Sequence, residues 1–167
     1  MEKQKIKFYG DPVLRKKCQK VEKIDQSVRE FAREMLKTMY QEEGVGLAAP
    51  QIGDTRRIIV VDIGQGPLSL VNPEIISKSL SKEKEYEGCL SLPSLNLKIK
   101  RSKEVILEGY LLEKEQKVQI KAKGLLARDF QHEIDHLSGV LMIDHVSPLK
   151  KIRAIKKLKK FLKKYQV

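Results

Sequence analysis

The segment His132-Glu133-Ile134-Asp135-His136 constrains this chain more than any other. Two histidines four apart share a face of an α-helix, so both imidazoles can reach one metal ion. Glu133 lies about 100° further round the helix, placed to act as general base on a water that the ion activates. The plain alternative is a helix with two ordinary histidines. Either way the surroundings predict a helix: Gly124-Leu125-Leu126-Ala127-Arg128-Asp129-Phe130-Gln131 leads in, and Ser138-Gly139 closes it. Around the wheel Leu126, Ala127, Phe130, Ile134 and Leu137 form an apolar arc; His132 and His136 lie roughly opposite, with Leu125 and Asp129. A surface helix needs one buried face. A helix with both an apolar face and a ligand face belongs in the middle of a domain, with the rest of the chain built round it.

Two imidazoles are too few for a catalytic ion, and a third protein ligand is expected. The peptidase continuation HExxHxxGxxH fails on that ligand: Gly139 is in place, but Met142 occupies the third-ligand position. His145, three residues on, is recruited only by a different turn. Cys89, in Glu87-Gly88-Cys89-Leu90-Ser91, lies upstream between strand-like segments, where a loop thiol can meet the helix. A lone cysteine is more often a small buried hydrophobe, so the residues alone leave His145 and Cys89 both open.

A chain of 167 residues suits one domain with one core. Asp25 or Ser27 starts an early helix in which Val28, Phe31, Ala32, Met35, Leu36 and Met39 recur at helical spacing and which Gly44 ends. Residues 57–62 read as a strand, and 68–71 as another before Asn72-Pro73. Alternation at Leu95, Leu97 and Ile99, then at 105–107, then at Val118 and Ile120, predicts more. Short-turned strands with long helices among them indicate α+β with antiparallel sheets. No apolar run is long enough to span a bilayer, and the charged start Met1-Glu2-Lys3-Gln4-Lys5 lacks a signal-peptide core. Two cysteines make no disulfide framework, and a thiolate ligand needs reduced sulfur, so the cytoplasm is expected.

Gly44-Val45-Gly46-Leu47-Ala48-Ala49-Pro50-Gln51 reads as an active-site loop. Its glycines allow close ligand approach, its alanines keep bulk away, and Gln51 offers an amide donor. A glycine turn after a helix accounts for Gly44 but poorly for Gln51. Taken with Glu87-Gly88-Cys89-Leu90-Ser91 and Gln131-His132-Glu133-Ile134-Asp135-His136, this segment resembles peptide deformylase. Gly10-Asp11-Pro12-Val13-Leu14-Arg15 and Gly139-Val140-Leu141 also match, so the resemblance spans about residues 5–148. It implies antiparallel sheets wrapped round a central metal-binding helix. It implies a divalent ion on Cys89, His132 and His136 with water as fourth ligand, Fe²⁺ in cells and Zn²⁺ or Ni²⁺ in preparations. It implies removal of the formyl group from the N-terminal formyl-methionine of nascent proteins. The Gln51 side chain and the Leu90 N–H would bind the substrate carbonyl oxygen, Glu133 would move the protons, and Val45, Gly46, Leu125 and Asp129 would line the substrate pocket. Asp129 departs from the family, where a small apolar residue is usual. A carboxylate there is expected to pair with Arg128 or another cation, or to narrow the pocket's tolerance. Glu87 is expected to orient its loop by pairing with Arg101.

The end of the chain differs in kind. Residues 149–167 carry nine of the net +12 charges and no acid, following the catalytic unit 1–148 within the same domain. Ser147-Pro148 suits a helix start, and Ile155, Leu158, Leu162 and Tyr165 form an apolar stripe. Such a helix can dock by its stripe, or meet RNA or an anionic membrane by its charge; with a nascent-chain substrate, ribosomal RNA is the favoured partner. Two rival readings are a zinc peptidase, against which Met142 stands, and a nucleic-acid-binding protein whose metal is structural, which would need a closed four-ligand site.

Overall fold

Ile58-Ile59-Val60-Val61 is an unbroken apolar run, and all four residues are fully buried. Successive side chains on a strand point to opposite faces, so such a run must be covered on both. A computed structural model, describing residues 5–165, shows how. Ile58 and Val60 meet Val28, Met35 and Met39 of helix α1 (Gln26–Gln41). Ile59 and Val61 meet Ala127, Phe130 and Leu137 of helix α2 (Gly124–Leu137). The strand between them, β2 (Ile58–Val61), lies next to β1 (Gly46–Ala48) in a five-stranded antiparallel sheet. Beyond β2 follow β3 (Leu68–Lys78), β6 (Glu104–Leu111) and β7 (Gln116–Lys123). A second antiparallel sheet pairs β4 (Lys82–Glu87) with β5 (Leu97–Ser102). The fold is α+β, with the histidine-bearing helix packed against the first sheet. The charged start at residues 1–4 lies outside the described residues, as does the side chain of Tyr165.

Three local outcomes differ from the sequence expectation. The strand expected to stop before Asn72-Pro73 runs on to Lys78. It does so by shifting register against β6 between Val71 and Glu74. At the shift Asn72 takes a left-handed φ of 52°, and its side-chain amide pairs with the backbone N–H and C=O of Val21 at 2.8 and 2.9 Å. Such a bulge is where a strand tolerates proline. Strands β1 and β4 carry no alternation that marks them: one is three small or apolar residues inside the glycine loop, the other is Lys-Glu-Lys-Glu-Tyr-Glu. Both exist through their partners' registers, Leu47 opposite Val60 and Glu85 opposite Ile99.

Helix α1 starts where Asp25 accepts hydrogen bonds from the N–H groups of Ser27 and Val28, and ends at Gln41, ahead of Gly44. Helix α2 is stopped by Ser138 and Gly139. The φ of Gly139 is +74°, and a Cβ there would meet the Arg15 carbonyl oxygen at 2.5 Å, so the N-terminal segment crosses the end of α2 only because no side chain intervenes. Helix α3 (Pro148–Tyr165) begins at its proline. Its Ala154 and Leu158 are buried, with Ile155 and Leu162 partly so, against Leu14, Leu92, Ile99, Met142 and Ile143. The apolar stripe therefore covers core surface, and its lysines face outward.

Phe130 is fully buried between α2 and the sheet. Phe130→Ala is expected to cost about 3–5 kcal/mol in urea unfolding. Leu80→Ala, at a side chain 98 % exposed, is expected to stay within about 0.5 kcal/mol of the parent.

Candidate metal centre

One face of α2 opens into a cavity of about 320 Å³. Asp129, His132 and Glu133 form its helical wall; Gly44, Val45 and Gly46 lead into β1 on a second side, and Gly88, Cys89 and Leu90 follow β4 on a third. The histidine spacing does what it predicts. Nε2 of His132 and Nε2 of His136 lie 3.2 Å apart, and Cys89 Sγ is 3.3 Å from the latter. All three donor atoms lie within 4.8 Å of one another, the spacing of a group that can hold one ion. His145 is not among them: its Nε2 sits 2.7 Å from Asp135 Oδ2, beside Arg101. Of the two residues left open, Cys89 is the one whose donor atom lies with the two imidazoles.

The donors are tuned by their surroundings. His132 Nδ1 lies 3.1 Å from Glu87 Oε2. Glu87 is buried, which by itself raises a carboxyl, yet His132 and Arg101 hold it well below the usual range. An ionised carboxylate only accepts, so Nδ1 keeps its proton and Nε2 is the position a cation can claim. Burial also raises the Cys89 thiol, but His136 and His132 outweigh it and bring the value down to about 6. Burial lowers His136 below its ordinary value. A thiolate and two imidazoles form a soft donor set that suits a first-row transition ion, and the site fits one.

Glu87 is itself gripped. Arg101 donates to both its oxygens, from Nε at 2.9 Å and Nη2 at 3.0 Å, and Arg128 Nη1 donates at 2.8 Å. The expected Glu87–Arg101 pair is therefore present. The expected Asp129–Arg128 pair is absent, because Arg128 is taken up by Glu87 and by the carbonyl oxygens of Ile99 and Glu83. This role of Arg128 has no signal in the motif itself.

Two further carboxyls face the cavity. Burial raises both Asp129 and Glu133, and Asp129 raises Glu133 further. Asp129 Oδ2 and Glu133 Oε2 are sealed from solvent without a hydrogen-bond partner, as is His136 Nδ1. Gly46 is what lets β1 pass them. A Cβ there would sit 2.5 and 2.7 Å from the Asp129 oxygens and 2.7 Å from Glu133 Oε1. Gln51 is buried and its amide is oriented: Oε1 accepts from the Ala48 N–H at 2.8 Å, which turns Nε2 toward Ser91 Oγ at 3.3 Å and Cys89 Sγ at 3.6 Å. Ser91 thus helps aim Gln51, a role not evident before the geometry. Leu125 stands apart at 54 % exposed and does not wall the cavity. Three donors able to hold an ion, a buried carboxyl and an aimed amide together suit hydrolysis at a carbonyl carbon.

The family described as polypeptide deformylase matches the chain over residues 3–152. The peptide deformylase of Dictyoglomus thermophilum is 50 % identical over 139 residues, 83 % of this chain and 90 % of the relative. That of Thermotoga maritima is 44 % identical over 154 residues, 92 % and 93 % of the two chains. Among solved structures, a peptide deformylase from Legionella pneumophila superposes with a TM-score of 0.91 at 40 % identity, covering 98 % of this chain and 96 % of its own. One from Synechococcus elongatus in complex with actinonin gives 0.88 at 40 % identity, over 93 % and 86 %.

The Arg101–Glu87 pair is almost fully buried. Arg101→Met leaves Glu87 with Arg128 and His132 alone and takes a partner from Asp135, so it is expected to cost about 1.5–3 kcal/mol at neutral pH in urea unfolding of chelator-treated protein. The sign of the pH dependence follows from the lowered Glu87. Its contribution is complete above the ordinary glutamate range and is lost as the pH falls through its folded value. The Arg101→Met penalty should therefore shrink in acid, and a penalty independent of pH would assign it to lost packing.

Proposed function

The chain belongs to the polypeptide deformylase family, and from that premise we propose how its residues divide the work. The enzyme is a metal-dependent hydrolase that removes the N-formyl group from the formyl-methionine of new proteins and releases formate. Cys89, His132 and His136 hold the ion in this proposal, and what supports it is the convergence of their three donor atoms within 4.8 Å. A divalent ion bound there supplies Lewis acidity, which makes water a better acid and polarises a carbonyl. Glu133, on the wall of the same cavity, accepts a proton from the attacking water and returns it to the departing amine. The Gln51 amide and the Leu90 N–H donate to the formyl oxygen as charge develops on it. Water adds to the formyl carbon, the C–N bond breaks, and formate and a free N-terminus result. Val45, Gly46 and Asp129 line the pocket for the methionine side chain.

The native ion is Fe²⁺ in this reading, with Zn²⁺ or Ni²⁺ able to replace it, since thiolate and imidazole serve all three. The need for a reduced thiol at Cys89 supports a cytoplasmic location in this reading; among the described residues no helix is long and apolar enough to cross a membrane. Residues 1–148 form the catalytic unit, and 149–167 belong to the same domain. The outward cations of α3 meet ribosomal RNA, which brings the site to nascent chains. The support for that partner is charge: Lys156, Lys157, Lys159, Lys160 and Lys163 are all exposed on one helix.

Cys89→Ala, His132→Ala and His136→Ala are each expected to lose the ion on metal analysis of anaerobically prepared protein. Glu133→Gln should keep it while formate release from formyl-Met peptides falls about 10²–10⁴-fold, and Gln51→Leu should lower kcat about 10²–10³-fold. Full metal occupancy in Cys89→Ala would remove Cys89 from the set. A near-normal rate in Glu133→Gln would end its assignment as base.

Truncating α3 would uncover the core beneath Leu158, so the ribosome proposal is better tested by charge. Lys156→Glu, Lys160→Glu and Lys163→Glu together should leave turnover of short formyl-peptides in place. They should abolish salt-sensitive co-sedimentation with ribosomes. Unchanged sedimentation of the folded triple variant would leave α3 as structural cover alone.

A further inference from the structure

Asp129 lines the pocket with a carboxyl that takes no proton and binds no ion in the proposed reaction. Its side chain is buried, the residue 8 % exposed, on the wall of the cavity beside Glu133. Oδ2 is sealed from solvent with no hydrogen-bond partner among the described residues. The nearest arginine along the helix, Arg128, is committed to Glu87. The opposite wall offers no relief: Gly46 presents only its Cα, and a side chain there would collide with both Asp129 oxygens. A buried polar group left unpaired carries a desolvation penalty, which a ligand group that pairs with it recovers. A hydrocarbon side chain entering the cavity recovers nothing at this wall.

Building on the assignment of this cavity to the substrate's first side chain, we infer that Asp129 sets the side-chain preference of the enzyme. It widens acceptance from purely apolar first residues to amide-tipped ones, glutamine above all. Glutamine has nearly the length and volume of methionine and norleucine, so it fits where they fit. Its terminal amide complements the carboxyl in either protonation state, since the NH₂ donates to a carboxylate and the C=O accepts from a carboxylic acid. A site with a hydrogen-bonding group for the substrate discriminates far more sharply than one that counts methylenes. Asp129 is thus a specificity-determining residue, separate from the proton transfer at Glu133.

The test compares kcat/KM for formyl-Gln, formyl-norleucine and formyl-Met peptides of otherwise identical sequence, by formate release from the iron-loaded enzyme. The parent protein should accept formyl-Gln. In Asp129→Ala the ratio of formyl-Gln to formyl-norleucine should fall about tenfold, the value of one hydrogen bond. Asp129→Val, which fills more of the space, should give the same fall if the alanine variant folds poorly. Asp129→Asn, which can still pair with an amide, should keep the ratio within about threefold of the parent. A ratio unchanged within about twofold in both apolar variants, with norleucine still processed, overturns the role of Asp129 and leaves the catalytic assignment standing. Failure of the metal-loaded parent to release formate from any of the three peptides would instead overturn the assignment of the cavity on which this inference rests.

Discussion

The buried carboxylate of Glu87 is the interaction on which the site depends. It accepts from two arginines and from His132 at once, and each partner fixes a different part of the molecule. Arg101 belongs to β5, Arg128 and His132 to α2, and Glu87 itself ends β4, two residues before Cys89. One side chain thus sets the position of the small sheet, the rotation of the central helix and the approach of the thiol. Taking a carboxylate and a guanidinium out of water costs several kcal/mol each, and a hydrophobic replacement for such a cluster is often more stable. The network is better understood as an orienting device: it fixes which nitrogen of His132 is free and where that nitrogen points.

The same logic explains why α2 lies where it does. A helix with Asp129, Gln131, His132, Glu133 and His136 all buried cannot sit against an ordinary apolar core. Each polar group needs a partner from the surrounding strands. Gln131 finds one in the backbone of Ser102, with which it exchanges two hydrogen bonds, at 3.1 and 2.9 Å. In that exchange a side chain does for β5 what a neighbouring strand would do. The apolar arc of α2, meanwhile, packs on the five-stranded sheet. The two faces of one helix therefore hold the two sheets in a fixed relation, and the three clustered donor atoms stand at their junction.

Much of this is legible in the sequence because the period of a helix and the valence of a metal are both strict. His132, Glu133 and His136 declare their geometry at fixed spacing, and the arcs of α2 follow from counting by 3.6. Cys89 is different. Its place depends on β4, whose six residues alternate lysine and glutamate until Tyr86 and show no apolar period, so the thiol's meeting with the helix is a matter of tertiary pairing. The residues alone leave it open between ligand and buried hydrophobe, with His145 as the other candidate, and the resemblance is what implies it. For the same reason the continuation of β3 past Pro73 was hidden: proline signals a break, and the amide of Asn72 that repairs it acts on Val21, 51 positions away. Arg128 enters the sequence reading only as one cation that Asp129 could pair with. The structure spends it on Glu87, where its guanidinium also satisfies two backbone carbonyls.

That allocation of Arg128 has a consequence for the whole cavity. Two carboxyls remain on the α2 wall, and the lone glycine of β1 that passes them has no side chain to shield one from the other. Like charges in so small and dry a space disfavour double ionisation. A group that must accept a proton from water gains from such a neighbour, because a raised carboxyl is a stronger base. A pocket that must bind hydrocarbon loses from it, because every unpaired oxygen left dry is a cost. The pocket wall is therefore a compromise between basicity and greasiness, and Gly46 is the residue that permits it: any side chain at that point would push the carboxyls apart or out of the cavity.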